Sequence, residues 1–175
     1  MTTLKPVRIG SMPGSIEEFV KMRDGIAGEP QGGAAAMVVA LLLLAENEEL
    51  GRQCMAAAVD SSRLEEGAQG YDGLQLRSSD LRLALSQIVG KGHIPRSYFK
   101  CTAPENGYEL PDLPYELEFS ANKYSGDAGS GTYKVFASCS GAASARPVSV
   151  RRDESGAWRA LEWSSLIVGV QSPGT

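Results

Sequence analysis

A chain of 175 residues, 42% apolar and 22% charged, buries roughly 70% of its unfolded surface in one core, which argues against a disordered tail and needs no disulfide or metal for folding. Seventeen Lys and Arg against twenty-one Asp and Glu leave a formal charge of −4, which argues against nucleic acid as a partner because phosphate neutralisation calls for a basic excess. The three cysteines, Cys54, Cys101 and Cys139, are odd in number, widely spaced and without a C-x-x-C pair, as expected of reduced thiols and a cytoplasmic location.

The first residues, MTTLKPVRIG, lack the charged leader and apolar run of a secretory signal. Ser15 and Glu18 then form a capping box after Pro13 and Gly14. Ile16, Phe19 and Val20 follow at helical spacing, predicting an amphipathic helix from about Ser15 to Ala27, closed by Gly25, Gly28 and Pro30. The stretch from Gly32 to Ala45 is apolar on every face. It is shorter than the ~20 residues that cross a bilayer, so it reads as a buried helix and no membrane partner is expected. Glu46 and Asn47 break it, and Glu48 to Val59 resumes helical spacing with Leu50, Cys54, Ala57 and Ala58 on one face, as in a helical hairpin.

Asp60 to Arg77 is rich in Gly, Ser and charge and reads as a loop anchored by Tyr71, Leu74 and Leu76. Ser78 or Ser79 caps the next helix, with Leu81, Ala84, Leu85, Ile88 and Val89 facing inward and Gly90 as its stop. From His93 to Pro114 the chain makes an irregular crossing. Tyr115, Leu117 and Phe119 then alternate with Glu116, Glu118 and Ser120, and Tyr133, Val135, Ala137 and Cys139 give a second alternating face. Strands over Pro147–Arg152, Ala157–Trp163 and Leu166–Val170, with a turn at Gly156, complete the pattern, and the short connections require antiparallel pairing. The expected architecture is α+β: one domain, 1–175, with a helical N-terminal half (about 15–90) packed on a C-terminal antiparallel β-sheet (about 115–170).

The blocks GGAAAMVVALLLL (32–44), IPRSY (94–98), PENGY (104–108), YSGD (124–127), GTYKVF (131–136), RPV (146–148), and Trp158 with EWSSLIVGV (162–170) resemble a family of uncharacterised bacterial proteins known only as a domain of unknown function. The resemblance runs from about residue 20 to the end, implies a bacterial origin, and carries no site residues with it. The last hairpin, with Gly156 and Trp158, is also similar to that of the cone-shaped, nuclear-transport-factor-two-like domains, a likeness of fold only.

His93, the sole histidine, and Cys101 are candidates for a thiol–imidazole pair. No nucleophile motif or acidic orienter accompanies them, so the reading assigns no catalytic residues. The glycines from Ser125 to Gly131 lack the Lys-Ser/Thr of a phosphate loop and read as a turn. Glu116 and Glu118 fall on a solvent-facing strand side, where paired carboxylates are hydrated surface. Arg146, Arg151, Arg152 and Arg159, with Trp158 and Trp163 for stacking, are the candidate binding residues for an anionic group or acidic partner, weighed against an edge hairpin charged to deter aggregation. Cys54 and Cys139 read as core.

The leading expectation is a non-catalytic protein-interaction or adaptor domain with a protein partner, without cofactor or metal, and open to self-association. The alternatives are a small enzyme or ligand-binding domain with a pocket between helices and sheet, lined by Tyr98, Tyr108, Tyr133 or Trp163, and a toxin-neutralising immunity protein.

Overall fold

Three consecutive helices pack together, and the second, apolar on every face, forms the centre of the molecule. The computed structural model describes residues 1–174. Helix α1 (Ile16–Ile26) begins where the Ser15 hydroxyl accepts the Glu18 N–H at 3.2 Å, and the Glu18 carboxylate reaches back to the Gly14 N–H at 2.9 Å. Helix α2 (Pro30–Glu46) buries every residue from Gln31 to Leu44, the fate of a helix with no polar face. Helix α3 (Glu48–Ala58) follows after Asn47 alone, whose side chain accepts the Leu50 N–H at 3.2 Å.

Small residues set how closely these helices approach. Gly32 lies against the backbone of Ile26 and Gly51 against that of Leu44, so that a Cβ at either position would overlap its neighbour. A Cβ on Gly33 would stand 2.7 Å from the Trp158 carbonyl oxygen. The corner between α1 and α2 is tied to the sheet by the Trp158 N–H, which donates to the Ala27 carbonyl at 2.8 Å.

The main sheet is antiparallel, with five strands in the order β1 (Thr2–Thr3), β6 (Phe119–Ala121), β7 (Thr132–Ala137), β8 (Arg146–Arg152) and β9 (Trp158–Glu162). Two further antiparallel pairs join β2 (Val7–Ile9) to β5 (Tyr115–Leu117), and β3 (Leu64–Tyr71) to β4 (Leu74–Leu76). The inward residues Val135, Ala137, Val148, Val150 and Ala160 are buried at period two, as strands with one packed face require. Helix α2 lies across β7, β8 and β9, while helix α4 (Ser78–Ile88) and the single turn α5 (His93–Arg96) pack on α2. The architecture is thus the expected α+β arrangement.

Several expectations are corrected. The segment Asp60–Arg77 is not a loop but a short 3-10 turn followed by the β3–β4 hairpin; Asp72 and Gly73, both at positive φ (53° and 76°), make its two-residue turn. The expected strand Leu166–Val170 is absent: Ser164–Ile167 is a 3-10 turn that buries the adjacent residues Leu166 and Ile167 together, which a strand cannot do on one face. The alternating run Tyr115–Ser120 is broken at Glu118 and serves two sheets as β5 and β6. Pro30 opens α2 rather than closing α1. Arg77 precedes α4 without a serine cap, and Val89 is 49% exposed, beyond the inner face of that helix. β1 and β2 add N-terminal strands that no periodicity announced.

Candidate functional site

His93 and Cys101 are near in sequence but share no hydrogen bond among the described residues. The His93 ring sits 5.8 Å from the Tyr108 ring, and burial, then Arg96 and Lys91, hold its pKa below the ordinary value. Cys101 is exposed at φ 73° and lines a depression of about 220 Å³ with Cys139, Ser97, Thr102 and Ser140. Its hydroxyls are engaged: Thr102 donates to the Phe99 carbonyl at 2.7 Å, and Ser97 to that of Ile94 at 2.6 Å while also meeting the Cys139 thiol at 3.2 Å. Glu118 lines the same depression, yet among the described residues no hydrogen bond joins its carboxylate to Cys101 or Cys139.

The arginine-rich hairpin does not gather its six residues on one surface. Trp158 and Trp163 are buried. Arg146 lies at the opposite end of β8, where one guanidinium N–H donates to the Gly169 carbonyl at 2.8 Å and Nε is buried without a partner among the described residues. Arg151 is paired with Asp60 at 3.0 Å and Arg159 with Asp153 at 3.4 Å; Arg152 covers the Trp158 ring at 5.5 Å. The aromatic residues expected around a central pocket are likewise committed. Tyr98 and Tyr108 donate their hydroxyls to the Leu166 and Gln171 carbonyls at 2.7 and 2.6 Å, and α2 fills the space against the sheet.

A different surface is open. Two adjoining depressions, of about 420 and 510 Å³, run between β2 and the α1–α2 corner and share Arg8, Gly25 and Ile26. Lys5 stands on one and Lys21 on the other, both exposed, and among the described residues neither ammonium is within ion-pair distance of a carboxylate. Two carboxylates line the same depressions: Glu18 accepts the Gly14 N–H at 2.9 Å, and Glu29 accepts the Gln31 side-chain amide at 2.8 Å. Arg8, 73% exposed, touches Glu116 at 3.3 Å. The Lys100 hydrogen bond, aided by that of Arg8, holds the Glu116 carboxyl below its usual range.

The backbone of this groove also has a direction. Glu116 accepts the Lys100 N–H through its carbonyl at 2.8 Å, so the polar groups of Glu116 face Lys100 and those of Tyr115 and Leu117 face β2. Val7 and Ile9, paired with Leu117 and Tyr115, therefore carry the ladder, and the N–H and C=O of Arg8 point away from β5 toward the groove. The close Arg8–Glu116 side-chain contact fits such a non-hydrogen-bonded pair. None of Lys5, Arg8 and Lys21 was marked out by the sequence, because the groove exists only once residues about a hundred positions apart have paired.

A family model described as a domain of unknown function (DUF6935) matches residues 11–174, which takes in both helical walls of the groove and starts just after β2. No curated protein and no solved structure matches the chain.

Proposed function

The chain belongs to the DUF6935 family, and we propose that it is a bacterial, cytoplasmic protein-interaction domain that meets its partner along the groove between β2 and the α1–α2 corner. The observation that carries this reading is the pair of unpaired ammonium groups, Lys5 and Lys21, on one continuous depression of a chain whose formal charge is −4. Surface lysines are normally scattered among carboxylates. Here Glu18 and Glu29 line the same depressions, and accepting a hydrogen bond from a neutral N–H leaves a carboxylate's charge in place, so the groove suits a partner surface that carries both signs. Three free thiols support the cytoplasmic part of the reading. Among the described residues, no helix is long and apolar enough to cross a membrane.

Photo-cross-linking in the cells of origin tests this. A photoreactive residue at Ser11, on the groove, is expected to capture a protein, whereas one at Glu105, which lines neither depression, is expected to capture none. Reversing both charges, Lys5→Glu with Lys21→Glu, is expected to cut the Ser11 cross-link at least tenfold. Equal capture from Glu105, or a cross-link indifferent to the reversal, would count against the groove as the contact face.

A further inference from the structure

The last described residues carry an inference that is independent of the groove. Residues 168–174 form no helix or strand, and all of them except Val170 are exposed. They are nevertheless pinned to the body at four points. Arg146 donates to the Gly169 carbonyl at 2.8 Å, the Gln171 N–H to the Gly141 carbonyl at 2.8 Å, the Tyr108 hydroxyl to the Gln171 carbonyl at 2.6 Å, and the Gly174 N–H to the Pro104 carbonyl at 2.7 Å. We infer that residues 168–174 are a strap that opens while the rest of the chain stays folded, and that the slot it leaves takes an extended, uncharged segment of a partner protein.

The strap is set apart from the core by its start, its anchors and its cost. Leu166 and Ile167 are fully buried, Val168 is 44% exposed, and Gly169 turns the chain at φ 69°, a conformation that suits glycine at a hinge. Val170 is the one apolar side chain of the strap packed on the core, so close to Gly141 that a Cβ there would stand 2.7 Å from its Cγ1. Segments with few buried apolar contacts and exposed backbone hydrogen bonds open at free energies below that of global unfolding. Closure also leaves the Nε of Arg146, whose guanidinium lies against Gly169, buried without a partner among the described residues; opening lets water reach it. Beneath the strap, Tyr108 is fully buried. Its hydroxyl and the Gly141 carbonyl hold the two main-chain groups of Gln171, whose side chain is exposed. The slot therefore reads main chain, together with one β-branched side chain in the seat of Val170, and an extended peptide supplies both.

Hydrogen exchange of the full chain tests the opening. The Gln171 and Gly174 amides are expected to exchange at least a hundredfold faster than that of Val150 in β8, yet at least tenfold slower than an unprotected peptide, and without dependence on urea below the unfolding range. Tyr108→Phe keeps the ring and removes the hydroxyl, and is expected to speed Gln171 about fivefold, as the loss of one hydrogen bond does, with Val150 unchanged. A single rate and urea dependence for Gln171 and Val150, or an equal effect of Tyr108→Phe on both, would make the segment part of the global fold and overturn the strap. Exchange of Gln171 at the unprotected rate would remove its closed state. The slot is tested with Val170→Ser and a fluorescent peptide copying residues 168–174, titrated with protein to about 1 mM. The peptide is expected to bind this variant and not the wild type, whose own strap competes at a higher effective concentration. A peptide with serine in the place of Val170 is expected to bind neither. Unchanged Gln171 exchange in Val170→Ser would overturn Val170 as the anchor. Faster exchange without peptide binding, or equal binding of the serine peptide, would overturn the slot and leave the opening standing.

Discussion

Cys54 and Cys101 show how burial divides chemically identical side chains. Cys54 is wholly buried in α3, and burial pushes its thiol from 9.0 up to about 12, whereas Cys101 is exposed. Only the thiolate reacts, so iodoacetamide at pH 8 is expected to label Cys101 rapidly and Cys54 only after unfolding, as read by mass spectrometry of intact protein. Labelling of Cys54 at the rate of Cys101 in the native protein would contradict its placement. The same shift sets a pH dependence. The folded state holds the Cys54 proton more tightly than the unfolded chain, so its contribution is fully present below pH 9.0 and is lost as pH climbs toward about 12. Burial raises the Tyr98 hydroxyl in the same direction. Melting temperature should fall through that alkaline window, and Cys54→Ala should flatten the fall relative to wild type. An unchanged profile in the variant would assign the loss to other groups. At this scale the sequence was legible where chemistry is local: the Ser15 cap, the Gly90 and Gly156 stops, both at positive φ, and Cys54 as core all follow from neighbours in the chain. Lys5 and Lys21 were not, because being unpaired is a property of what surrounds a charge in space.

Among the elements, the glycines of the first and third helices separate propensity from packing. Gly25 lies within α1 with open space where a Cβ would go, whereas a Cβ on Gly51 in α3 meets the Leu44 backbone. Gly25→Ala is expected to stabilise by about 0.5–1 kcal/mol through helix propensity alone. Gly51→Ala gains the same propensity but forces two helices apart, and overpacking of about 1–3 kcal/mol decides the sign against it. Urea unfolding of the two variants side by side reads the contrast, and a stabilised Gly51→Ala would refute the close approach of α2 and α3. Helices were legible because they are long: α2 has no polar face and α4 repeats its apolar positions over three turns. The two N-terminal strands were not. β2 is two buried residues flanking an arginine, and β1 is two threonines, too few for a period-two pattern to emerge. The β3–β4 hairpin was missed for another reason. Asp72 and Gly73 are a strong turn signal, but β3 carries glycines and adjacent glutamates instead of alternating apolar residues.

Across the whole molecule, the segment expected as a loop and the arginine-rich hairpin are both folded into the protein's own interactions. The hairpin 64–76 packs on α3, and the arginines of β8 and β9 meet Asp60, Asp153 and Trp158. The groove beside β2 is what remains, with two ammonium groups, Lys5 and Lys21, outside any ion pair among the described residues. Its cations are solvent-exposed, so their contribution is screened over about 8–10 Å at ordinary salt, and partner binding should weaken as ionic strength rises. Titration of the protein captured at Ser11 at low and high salt checks this, and affinity independent of salt would point to an apolar contact elsewhere. The most direct measurement is a hydrogen-exchange difference map of the full chain with and without the protein captured at Ser11. The account predicts slowed exchange over residues 5–10 and along the α1–α2 corner, 21–32, with the β8–β9 hairpin unchanged. Protection confined to 146–163, or to the depression around Cys101, would contradict it.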